Sequence, residues 1–177
     1  MKKALIMASV IAAVGALAQG TLLPNNVKGA TIIKIYDVES GLSVGADYQA
    51  QIFAGLDEAS LAAVGAPIQF LANGVFSGKT MTFDGTGGLP KFDPGATVFV
   101  RVDVMPVGYA TYEDALGAAK KAGRSDVYQL KLGNEGSPPS LPAQLSSVLV
   151  SFPVVPEPSV LALIGLGAAA LLLRRRN

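Results

Sequence analysis

The residues with the most specific chemistry lie near the end of the chain. Pro156-Glu157-Pro158 sets one carboxylate between two prolines; an uncharged apolar run, Val160 to Leu173, follows, and then Arg174, Arg175 and Arg176. Each proline fixes its own φ and pushes the residue before it out of the helical region, so the tripeptide is held extended. Proteases and transpeptidases take substrates in that shape, and Glu157 offers them one charged contact. The apolar run must be helical wherever it enters lipid, where no water satisfies the backbone. Its fourteen residues make a helix of ~21 Å at ~1.5 Å per residue, short of the ~30 Å hydrocarbon core. That length suits a temporary stop, with the arginines halting translocation on the cytoplasmic side.

The three parts, in this order and at this end of the chain, resemble the PEP-CTERM sorting signal of exported proteins in Gram-negative bacteria, over residues 154–177. The resemblance implies handling by an exosortase, a membrane-embedded cysteine-type processing enzyme acting at or near Pro156-Glu157-Pro158. It also implies transient residence in the inner membrane and delivery to the cell surface or extracellular matrix, where such proteins are often linked to exopolysaccharide. It assigns no activity to the domain in front of the signal.

The other end agrees with export. Lys2 and Lys3 precede an uncharged, largely apolar stretch from Ala4 to about Gly15, and Ala16-Leu17-Ala18 is a small-x-small cleavage site. This is the pattern of a secretory signal peptide over residues 1–18, cut by signal peptidase before Gln19.

Between the two ends, the chemistry is thin. The chain has no Cys, His or Trp. Without cysteine there are no disulfides, thiolate metal sites or thiol nucleophiles, and without histidine the usual general base is missing. The pairs Asp57-Glu58 and Glu113-Asp114 read as first-turn residues of helix starts, since sequence neighbours on a helix do not face each other. Asp84-Gly85-Thr86-Gly87-Gly88 lacks the Lys-Ser/Thr of a phosphate loop and the alternating ligands of a calcium loop, and reads as a turn between strands. No catalytic, cofactor-binding or metal-ligating residue is singled out, and no cofactor is expected. From Gln19 to Val155, nine basic against twelve acidic side chains leave a net charge of −3, with no basic stripe for nucleic acid.

The elements that carry the tail are read from periodicity. Ala96 to Met105, ATVFVRVDVM, alternates Val98, Val100, Val102 and Val104 with Thr97, Phe99, Arg101 and Asp103, which predicts a half-buried strand with Arg101 exposed. Further strands are predicted at Ala30 to Val38, Asp47 to Phe53, Pro67 to Leu71, within Val75 to Phe83, at Asp126 to Leu132 and at Ser146 to Phe152, with Pro153 closing the domain. Thr21 to Gly29 reads as a loose polar leader. Leu56 to Val64 is ambiguous, with Asp57 a possible cap for a short helical turn ended by Gly65. Asn73-Gly74 and Asp93-Pro94-Gly95 mark turns. Thr111 to Ala122 changes period, with Thr111 as N-cap, Lys120 and Lys121 at the far end and Gly123 as the stop.

About seven or eight short strands and one short helix on a connection argue for a mainly β fold, an antiparallel β-sandwich over residues 19–153. A signal peptide and a C-terminal hydrophobic helix flank it. The expected function is that of a non-enzymatic exported protein, met by export machinery, signal peptidase and exosortase. The alternatives are a carbohydrate-binding module for exopolysaccharide, favoured if Tyr36, Tyr48, Phe99 and their neighbours form one exposed strip, and, behind it, a carboxylate-based hydrolase.

Overall fold

The strand that alternation marks most clearly becomes the centre of the structure. The computed structural model describes residues 19–134 and 138–156. The expected signal peptide, the apolar run from Val160 and Arg174 to Arg176 all lie outside the described residues. Among those described, no helix is long and apolar enough to cross a membrane.

In chain order the strands begin with β1 (Gly20–Leu23), β2 (Val27–Lys28), β3 (Thr31–Ile32), β4 (Ile35–Asp37) and β5 (Tyr48–Gly55). A 3-10 turn, Glu58–Ser60, leads into β6 (Ala62–Gln69), then β7 (Met81–Phe83) and the central β8 (Thr97–Pro106). Helix α1 (Tyr112–Gly117) precedes β9 (Gly123–Arg124), β10 (Tyr128–Lys131), β11 (Gly133–Asn134) and β12 (Ala143–Gln144). A second 3-10 turn, Leu145–Ser147, leads to β13 (Phe152–Val154). Among the described residues the fold is therefore mainly β with one short helix.

The valine stripe decides the largest sheet, ordered β10-β8-β5-β6, with β9 also paired to β8. Across β8 and β5, Val104 faces Ala50, Val102 faces Ile52 and Val100 faces Ala54, all antiparallel. All four valines are fully buried, and each contributes roughly 1.5–3 kcal/mol relative to exposure. β10 adds Leu130 opposite Val98. A second sheet centres on β1, paired antiparallel with β7 and β11 and parallel with β12. Leu22 and Phe83 bring it into the same core.

Several boundaries differ from the sequence reading, each for a local reason. Antiparallel pairing was expected throughout, yet β1–β12 and β13–β4 are parallel. Thr21 to Gly29 is not a loose leader: Thr21, Leu22 and Asn26 are fully buried. Asn26 donates to the carbonyls of Ile33 and Gly74 and accepts from the Phe76 amide. Holding Ile33 in this way breaks the expected strand Ala30 to Val38 into β3 and β4. The expected strand over Ser146 to Phe152 is instead a 3-10 turn in which the amides of Val148 and Leu149 both donate to the Leu145 carbonyl. It leaves Val150 exposed and Leu149 buried. Asp57 does cap a turn, accepting from the Ser60 amide, but Val64 and Gly65 belong to β6. Gly65, at φ +65°, sits in a bulge opposite Gln51, whose side-chain amide donates to the carbonyls of Ile52, Val64 and Gly65.

The helix is half the expected length. Thr111 caps it as expected, accepting from the Asp114 amide at 3.0 Å. It ends at Gly117, and its stop is Ala119 rather than Gly123: the Lys120 amide donates to the Ala115 carbonyl and the Ala119 amide to that of Leu116. That is a Schellman ending with Ala119 as the left-handed residue, at φ +54°. Ending early frees Ala122 to bridge Val155 and Gly123 to begin β9.

Candidate processing site at the last strand

The end of the domain is built from β13 and the two strands that hold it. β13 is short, Phe-Pro-Val, and pairs parallel with β4: Phe152 with Ile35, Pro153 with Tyr36, Val154 with Asp37. Val154 is fully buried, and its carbonyl accepts from the Val38 amide at 3.2 Å. On the other side, Val155 and Ala122 exchange both backbone hydrogen bonds, at 3.0 and 3.1 Å. The next residue, Pro156, is exposed. A Cβ on Gly123 would lie 2.6 Å from the Pro153 carbonyl oxygen and 2.9 Å from Val154 Cγ1. Only glycine lets β9 approach β13 this closely, and that, rather than a helix stop, is what Gly123 does.

Charges clamp the same strands from both sides. Lys121 Nζ reaches Asp37 Oδ2 at 2.7 Å and also pairs with Glu39. Asp37 Oδ1 accepts from the amides of Glu39 and Ser40. Lys121 first, and the Ser40 amide next, hold the Asp37 carboxyl down at about 2, while Asp37 and then Glu39 raise Lys121 above its usual value. Past Gly123, Arg124 donates to Asp103 from Nε at 2.9 Å and from Nη2 at 2.6 Å, and from Nη2 to Glu113 at 2.7 Å. Asp103 and then Glu113 raise Arg124 further above its usual range, and Arg124 in turn lowers Glu113. Arg101 donates two more hydrogen bonds to Asp103, whose side chain is 1% exposed. Arg124 also lies over the Tyr112 ring and Arg101 over Phe53. Arg101 is thus not the exposed bystander that alternation suggests; it neutralises a buried carboxylate on the outer face of β8.

The other sequence candidates are dispersed. Asp57 is used in its cap, and Glu113 pairs with Arg124 across the start of α1. Asp84 Oδ1 accepts from the Thr86 amide and hydroxyl, which lower its carboxyl, as a turn between strands would have it. Among the described residues no group of three or more His, Cys, Asp or Glu could hold a metal ion. The aromatics divide: Tyr48 and Tyr128 pack on the main core, Tyr109 and Tyr112 on a small cluster around Met105, Ala115 and Ala122. Tyr36 lies in β4 and Phe99 in β8, both half-buried. Two open grooves of about 630 and 700 Å³ flank β6 and meet at Leu89.

Of the expected processing residues, Pro156 and Gln19 are described. Gln19 lies one residue before β1 and Pro156 one residue beyond the Val155 bridge. Ala16, Ala18, Glu157, Pro158 and Arg174 to Arg176 lie outside the described residues. Sequence reasoning missed Ala122, Gly123, Lys121 and Asp37 as the grip on the tail. Only the glycine gave a signal, and a helix stop explained it equally well.

No curated protein and no solved structure matches the chain. A family model does match its end, over residues 154–176. Those residues start inside β13, at buried Val154, and run on through the Pro-Glu-Pro tripeptide, the apolar run and the arginines. The chain thus carries the PEP-CTERM protein-sorting motif, which implies an exported protein sorted by an exosortase.

Proposed function

We propose that the chain is a non-enzymatic protein of the cell surface or extracellular matrix, whose folded domain is delivered by its C-terminal motif. In this reading residues 1–18 direct export and are removed before Gln19. Val160 to Leu173 then holds the precursor in the inner membrane, with Arg174, Arg175 and Arg176 on the cytoplasmic side. Exosortase processing near Pro156-Glu157-Pro158 separates the domain from the membrane segment. The observation that carries the reading is the match over residues 154–176, placed directly behind a folded β domain. The same reading takes that domain as a β-sandwich. Its support is one core shared by the two larger sheets, with Leu22 and Phe83 from one and Ile52, Val64 and the β8 valines from the other.

The test is to express the full chain in a host that has the exosortase. Glu157→Ala should accumulate as uncleaved membrane precursor, because the charged contact is gone while the extended backbone remains. Deleting Arg174, Arg175 and Arg176 should remove the stop and with it the orientation. A wild-type chain that stays full length in that host, with its C-terminus intact, would leave a plain membrane anchor in place of a sorting signal.

A further inference from the structure

The matched motif and the folded domain overlap. Residues 154–176 are the motif, yet Val154 is fully buried and Val155 has both backbone groups bonded to Ala122. Between the last paired residue and Pro156 there is no linker at all. An enzyme that takes a peptide in extended form pairs with the free backbone edges on either side of the scissile bond. On the amino-terminal side of Pro156-Glu157-Pro158 those edges are already used. The Val155 amide and carbonyl belong to Ala122, the Val154 carbonyl to Val38, and Pro156 has no amide hydrogen to offer. The grip is reinforced at both neighbours of the bridge: Lys121 is tied to Asp37 and Glu39, and Gly123 packs against Pro153 and Val154.

We propose that exosortase processing requires Val154 and Val155 to come away from β4 and Ala122, so that the folded domain sets the rate of its own release. The proposal rests on the sorting reading above and adds its regulation. With β13 docked, Val154 and Val155 have no free backbone edge to pair with the wall of a cleft on the amino-terminal side of the tripeptide. With the end of β13 undocked, or in a domain not yet folded, those edges are free. Local opening of a terminal strand is less costly than global unfolding, so the device slows release without forbidding it.

The experiment uses the full chain in an exosortase host, following precursor and released domain by pulse-chase. Six residues of alternating Gly and Ser are inserted between Val155 and Pro156, a change that leaves every pairing of β13 intact. Processing should speed up by about tenfold, which corresponds to an undocking cost of about 1.4 kcal/mol. Gly123→Ala, which drives a methyl into Pro153, should also speed processing in the chain without the linker. In the chain with the linker it should add nothing, because undocking is no longer required. Equal processing rates with and without the linker overturn the proposal and leave the sorting reading standing. Precursor that stays uncut in both chains overturns the two together.

Discussion

Asp103 and Arg124 form a bidentate ion pair at 2.9 and 2.6 Å, with the carboxylate 1% exposed and the guanidinium about a third exposed. Arg101 holds the same carboxylate from its own strand. Because each arginine alone can still neutralise Asp103, Arg101→Ala and Arg124→Ala should each cost about 1–2 kcal/mol. Removing both strands a buried charge, so the double variant should lose more than the sum of the two. Urea denaturation of the four proteins checks this; additive losses would mean that Asp103 does not depend on the pair.

The inward face of β8 predicts a different pattern. Val102→Ala should cost roughly 1–3 kcal/mol through lost methyls and the void left among Ile52 and its neighbours. Thr97→Ala, at an exposed position of the same strand, should change stability by less than about 0.5 kcal/mol. Equal effects would show that the strand is not buried on the valine side alone.

Two small residues near the tail should behave in opposite ways. Ala119→Gly relieves a left-handed alanine and should stabilise by about 0.5–1 kcal/mol. Gly123→Ala introduces the contact of 2.6 Å with Pro153 and should destabilise by about 1–3 kcal/mol. Thermal unfolding of both variants decides. Had Gly123 been the helix stop, its replacement would act on α1 and leave β13 alone.

The Lys121 clamp should show in the acid limb of the stability curve. Asp37 has its carboxyl lowered to about 2 in the folded state, against an ordinary value of 3.8. The stabilisation it provides is therefore complete above the ordinary value and disappears as pH falls through about 2. Lys121 is raised, so its share is present below its usual value and lost only in strong base. Asp37→Asn keeps the acceptor for Glu39 and Ser40 but removes the charge. Between about pH 4 and pH 2 the wild type should lose more of its melting temperature than this variant does.

At the other end, the exported protein should begin at Gln19. Gly20 is already in β1, buried, with its amide donated to the Phe92 carbonyl at 3.1 Å. N-terminal sequencing that found Met1 would overturn the signal-peptide reading.

The sequence by itself determined what depends on neighbours along the chain. Alternation in β8 sorted its valines to one face because side chains on a strand switch sides at every residue. Thr111 announced a helix start because its hydroxyl reaches an amide three residues on, and Asp84 its turn because its carboxylate reaches Thr86. The motif at 154–176 was legible for a related reason: its three parts are contiguous, and their order alone carries the meaning. Tertiary structure decided what depends on partners distant in sequence. Nothing near Ala30 to Val38 says that Asn26 will hold Ile33, or that β4 will receive a parallel strand from the far end of the chain. Arg101 looked exposed because periodicity assigns faces but does not say that Arg124 and Asp103 will meet there. Gly123 had a sound local explanation as a helix stop, which Ala119 displaced. Its real constraint is the carbonyl of Pro153, thirty residues away in the chain. The grip on the processing segment is made wholly of such long-range contacts, so its parts could be named from the sequence only after the fold had brought them together.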